Sequence, residues 1–151
     1  MRFQTSLWDR LLNSDTNRSE LLLGVDLLQL KAHVARDLER LLNTRRCYDD
    51  HEFAGFPMAG ASIFNFGIPD FSAKSLSSGV DRDQICLAMA KAIERYDPRL
   101  RNVMVRLRDT QSEVHRLAFD IHAMLRVTGF QDAVSFGAQF DGAGMFYQVS
   151  H

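Results

Sequence analysis

The hydrophobic pattern of this chain changes period once, at Pro98. Upstream, apolar residues recur at three- and four-residue steps; downstream they alternate. Leu27, Leu30, Val34, Leu38 and Leu41 form one stripe, widened by Leu28, Ala35 and Leu42, which predicts a helix from about Asp26 to Arg46. A second helix is expected from a capping box at Asp81 and Gln84 to just before Pro98. Its apolar face carries Ile85, Ala88, Met89, Ala92, Ile93 and Tyr96, while Leu87 points away. Beyond Pro98, Val103, Val105 and Leu107 alternate with Met104, Arg106 and Arg108. A longer alternation runs from Arg116 to Val127, and Val134, Phe136, Ala138 and Phe140 make a third strand. Asp141-Gly142-Ala143-Gly144 turns the chain into a short last strand with Met145, Tyr147 and Val149. Helices first and hairpin-linked strands after predict an α+β fold, with two main helices packed on a small antiparallel sheet of three or four strands.

Residues 1–24 read as an N-terminal arm with a short helix, starting near Ser6 and Asp9 and carrying Leu7, Trp8, Leu11 and Leu12. Residues 25–151 read as one domain. Asp49 to Gly60 is expected to be a loop, and Ser62 to Phe66 a turn or two of helix packed by Ile63, Phe64 and Phe66. Gly67, Pro69 and Asp70 then form a structural corner, because Gly67 adopts left-handed backbone and Pro69 stops the helix. Two cations interrupt the first helix's pattern. Lys31 falls within the apolar arc, and Arg45 returns to the direction of Leu27. Each is either an ordinary solvated side chain or part of a face that meets a partner.

The chain has 151 residues, 46% of them hydrophobic, enough for one sizeable core. Its net charge of −1 argues against an electrostatic nucleic-acid binder and leaves little repulsion to oppose association. Cys47 and Cys86 make no disulfide framework and read as free thiols in a reducing compartment. No signal peptide is visible, and no apolar run is long enough to span a bilayer, so a cytoplasmic protein without membrane insertion is expected.

Catalytic motifs are missing from the sequence. It has no glycine-rich phosphate loop, HExxH, CxxC pair or GxSxG. Asp120 and His122 share a strand face, but zinc catalysis needs a third ligand and none follows from the spacing. Cys47 and His51 are neighbours in sequence without an orienting group. The expectation is no enzyme, no catalytic residue, no metal and no cofactor.

Four segments in register resemble one family. They are Ser6-Leu7-Trp8-Asp9-Arg10-Leu11, Leu41-Leu42-Asn43-Thr44-Arg45-Arg46, Ser62 through Asp70, and Tyr96-Asp97-Pro98-Arg99-Leu100 with Asn102, Val103 and Val105. Together they look like TssE, the small baseplate subunit of type VI secretion systems, related to a baseplate wedge protein of contractile-tailed phages. The family's Glu-Pro-Arg segment reads Asp97-Pro98-Arg99 here, the acid one methylene shorter. The resemblance implies a structural role in a cytoplasmic baseplate wedge. TssF-like and TssG-like partners would be joined there, with TssK-like and sheath proteins nearby. It also implies partner contacts at Asp97, Pro98 and Arg99, with Arg45 and Arg46 as weaker candidates. The competing readings are an anti-adaptor like IraD, which binds a response regulator, and a peptidoglycan hydrolase.

Overall fold

The computed structural model describes residues 2–4, 24–75, 78–108, 116–142 and 144–151. Helix α1 spans Leu27–Leu42, a short α2 spans Pro57–Gly60 and α3 spans Gly79–Tyr96. Strands β1 (Leu100–Arg108), β2 (Arg116–Val127), β3 (Phe130–Asp141) and β4 (Phe146–Ser150) form one antiparallel sheet in sequential order. The fold is α+β. Helix α3 packs against β1, and α1 against α3 and β4.

The alternation in the strands explains the layering. Phe119, Ile121, Ala123 and Leu125 of β2 are buried against Leu30, Val34, Leu38, Met89 and Ile93 of the helices. The opposite face carries Arg106, Arg108, Asp120 and His122 and is open to solvent, as antiparallel sheets allow. Val127 pairs with Phe130 across a two-residue turn where Gly129 takes φ +74°, so β3 starts earlier than Val134.

Several boundaries differ from expectation, each for a local reason. Helix α1 ends at Leu42, not Arg46. The Asn43 side chain donates to the carbonyls of Glu39 and Tyr147, both at 2.8 Å, and accepts from the Tyr147 N–H at 2.7 Å. It thereby caps the helix and ties it to β4. Thr44 to Arg46 then run extended beside Ile68, which donates to Thr44 O at 2.9 Å and accepts from Arg46 N at 3.0 Å. Arg45 and Arg46 therefore lie off the helix. Helix α3 starts at Gly79, because Ser78 rather than Asp81 is its cap. Asp81 instead accepts from Ser75 N at 3.1 Å.

The expected loop from Asp49 to Gly60 contains a 3-10 turn (Asp50–Phe53) and α2, which Pro57 starts. Ile63–Asn65 is a single 3-10 turn, so its three side chains point in three directions. Ile63 and Phe64 are 84% and 74% exposed, and Asn65 takes the buried position. Only Phe66 packs as expected, with its ring centroid 5.1 Å from that of Tyr96. Met145 lies before β4, at φ +55°, and is exposed.

The expected arm helix falls on residues 5–23, outside the described residues. Its flanks are pinned: Phe3 and Val25 exchange two backbone hydrogen bonds of 2.8 Å. Among the described residues no helix is long and apolar enough to cross a membrane.

Candidate functional site

The corner between α3 and β1 is built from Asp97, Pro98 and Arg99. The Asp97 N–H closes α3 on Ile93 O at 2.9 Å, and Pro98 prevents any further turn. One carboxylate oxygen of Asp97 accepts from the Arg99 backbone N–H at 3.0 Å and from Arg99 Nε at 2.8 Å. The other accepts from Arg99 Nη2 at 2.7 Å, completing a two-pronged ion pair. Arg99 Nη2 also donates to Asp37 Oδ2 of α1 at 2.7 Å. Asp97 is 5% exposed, whereas Pro98 faces solvent.

Burial alone would lower the guanidinium pKa of Arg99. The hydrogen bonds and charges of Asp97 and Asp37 overcome that and raise it. On the other side of the corner, Arg99 O accepts from Arg126 N at 2.7 Å, fixing β1 to β2. Three residues on, Asn102 takes φ +53° in a β-bulge, and the Val103 N–H displaced from the ladder donates to Glu94 Oε1 at 2.9 Å. Arg99 therefore joins α1, the end of α3 and the start of the sheet.

Gly67, Pro69 and Asp70 form a second corner. Gly67 has φ +119°, and a Cβ there would lie 2.4 Å from Thr44 O. The close approach lets Ile68 enter the core fully buried. Asp70 accepts from the Ser72 N–H and hydroxyl, both at 2.9 Å. Those bonds lower its pKa, opposed by desolvation and assisted by the charge of Arg45.

Arg45 and Arg46 diverge, as successive residues of an extended segment do. Arg45 lines a cavity of about 280 Å³ with Asp70, Phe119 and Tyr147. Burial raises the pKa of the Tyr147 hydroxyl, opposed by the charge of Arg45 and its hydrogen bond. Arg46 lies 3.8 Å from Asp49 and lines a cavity of about 190 Å³ with Asn65, Lys91 and Arg95.

Lys31 lies 3.7 Å from Asp132, and its side chain is half-buried. Asp120 pairs with Arg108 rather than pointing at His122 for a shared ligand. Among the described residues no group of three or more His, Cys, Asp and Glu side chains is placed to hold a metal. Both cysteines are free.

Sequence reasoning missed Asp37, Glu94 and Asn65. Asp37 had a signal: at ~100° per residue it falls within about 20° of Leu30 on α1, at the margin of the buried arc. An acid there needs a partner. Glu94 and Asn65 had none, because their roles depend on a bulge and on a 3-10 turn.

The family profile described as baseplate wedge protein gp25 matches residues 28–129. No curated protein matches the chain. Among solved structures, a chain of the baseplate complex from the type VI secretion system is similar at 18% identity and a TM-score of 0.50, covering 73% of this chain and 93% of that one. A protein of Geobacter sulfurreducens whose name suggests a tail lysozyme is 17% identical with a TM-score of 0.49, covering 76% of this chain and 94% of its own. The first likeness shows the shared fold. The profile takes in α1, both corners, α3, β1 and β2, more than half of the sequence, and on that ground the chain belongs to the baseplate wedge protein gp25 family.

Proposed function

We propose that the chain is a structural subunit of a type VI secretion baseplate wedge. It works in the cytoplasm, joins TssF-like and TssG-like partners beside TssK-like and sheath proteins, and supports sheath assembly. It has no catalytic role, cofactor or metal, and it neither binds nucleic acid nor inserts into a membrane. Family membership supports the wedge assignment, and the four segments resembling TssE favour the secretion system over a phage tail.

The carrying observation is the corner itself. Arg99 is held by Asp97 and Asp37, while Pro98 stays exposed between them. A corner fixed from within loses little conformational entropy on docking, so more of the contact energy appears as affinity. Pro98 and the exposed part of Arg99 meet the partners, and Asp97 sets the shape of the corner. Arg45 and Arg46 are secondary contacts, and the corner at Gly67, Pro69 and Asp70 holds their segment in place.

A pull-down of the full chain from its native cells tests this. Recovery of TssF-like and TssG-like proteins is expected. Recovery of a response regulator instead would establish the anti-adaptor reading, and clearing of cell-wall suspensions would establish a hydrolase. Pro98→Glu should lose the wedge partners with an unchanged thermal melt. Undiminished recovery removes the corner from the interface.

A further inference from the structure

We propose that the cavity between α3 and the Gly67 corner receives an acidic segment of a wedge partner, with Lys91 contacting its carboxylate. This inference rests on the wedge reading and deepens it by giving the partner's chemistry. The cavity encloses about 190 Å³. Leu87 and Pro69 supply apolar wall, Arg46, Lys91 and Arg95 supply positive charge, and none of its described lining residues is acidic.

Lys91 is the unusual cation. Of the chain's three lysines, Lys31 and Lys74 each have a carboxylate at 3.7 Å, from Asp132 and Asp81. Lys91 has no such partner among the described residues and is exposed. Lys91 stands one helical turn from Leu87, which is 56% exposed.

A second observation is independent of charge. Asn65 lines the same cavity, is 1% exposed, and its Oδ1 has no hydrogen-bond donor among the described residues. Buried acceptors in native structures are almost always satisfied. A small free anion would suit the cations, and a protonated one could even donate to Asn65, but none has apolar surface for Leu87. A polypeptide supplies all three: a carboxylate for Lys91, an N–H for Asn65 and a side chain for Leu87.

Carbodiimide cross-linking joins an amine to a carboxylate that touches it, and it reads this contact directly. In the assembled wedge, mass spectrometry should find Lys91 linked to an Asp or Glu of a partner. Lys91→Glu should weaken partner binding ~10-fold or more and Lys91→Arg by less than about twofold, since the charge rather than the amine is recognised. If the wild-type chain captures no wedge partner, the proposed function fails and this inference with it. If the wild-type chain captures the partners but Lys91 links to none of their carboxylates, or Lys91→Glu binds as the wild type does, this inference alone is overturned.

Discussion

Arg99 at the head of the sheet and Asp37 on α1 are joined by a 2.7 Å hydrogen bond across 62 residues of sequence. The same guanidinium grips Asp97, so one side chain ties three elements together. Taken as an exposed pair, Asp97 and Arg99 would add little to stability. In the fold Asp97 keeps only 6% of its side-chain surface and Arg99 22%, so the pair is largely desolvated.

Arg99→Ala is therefore destabilising. It leaves the Asp97 carboxylate buried without its counter-ion, at a cost of roughly 3 kcal/mol, the low end for broken buried pairs because Arg99 is not fully enclosed. Asp37→Ala leaves the Asp97 pair intact and should cost about 1 kcal/mol. Urea unfolding of both variants and of the double variant checks this. The double variant should be less destabilised than the sum of the singles, since both changes act on one network.

Acid titration reports on the surface pair of Arg108 and Asp120. A hydrogen bond from Arg108 lowers the pKa of Asp120 below the ordinary 3.8; burial opposes it, and the charges of Arg108 and His122 assist it. Folded Asp120 thus holds its proton less tightly than unfolded Asp120. Its contribution is present above the unfolded carboxyl value of ~3.9 and is lost as pH falls through the lower folded value. Asp120→Asn should be slightly less stable than the wild type at neutral pH. The gap between their urea midpoints should close as pH falls through the ordinary carboxyl range and past the lower folded value.

The two cysteines should react at different rates. Burial raises the pKa of the Cys86 thiol above its ordinary 9.0, although a backbone hydrogen bond at Leu107 and the charge of Arg82 oppose it. Cys47 is exposed. The thiolate is the reacting species, so a disulfide reagent at mildly alkaline pH should label the folded protein in two phases. Cys47→Ser should remove the fast phase and leave the slow one. Two equal fast phases in the folded wild type would contradict the burial of Cys86.

The layering was legible because burial on one sheet face forces a period of two, and β2 carries it from Phe119 to Val127. Both long helices were legible from their stripes, as were the start of α1 and the end of α3, but the end of α1 and the start of α3 were not. Asn43 stops α1 by bonding to Tyr147, which is 104 residues away, and no local pattern reports a contact of that range. β1 begins three residues before its visible alternation because the bulge at Asn102 puts Leu100 and Val105 on the same buried face. The Asp97-Pro98-Arg99 corner was visible as a motif. Its brace was not, because Asp37 becomes a partner only once α1 packs beside α3.

Gly67 gives the most local test of how the second corner is held. Its φ of +119° lies where side chains are strained, and a Cβ would lie 2.4 Å from Thr44 O and 3.1 Å from Arg45 C. Both atoms are backbone and belong to the segment that exchanges hydrogen bonds with Ile68, so neither can rotate aside. Gly67→Ala must push Ile68 away from Thr44 to Arg46, breaking the bonds at 2.9 and 3.0 Å and lifting a fully buried side chain. Backbone strain of ~1–3 kcal/mol adds to that lost packing, so a total of about 3 kcal/mol or more is expected. Gly55 is the control, because a Cβ there meets nothing within 4 Å and its φ is ordinary. Gly55→Ala should be neutral or stabilising by up to about 1 kcal/mol, through the unfolded chain's reduced freedom. Equal urea midpoints for the two alanine variants would mean that the Thr44–Ile68 contact yields without cost, and that this corner is not rigid.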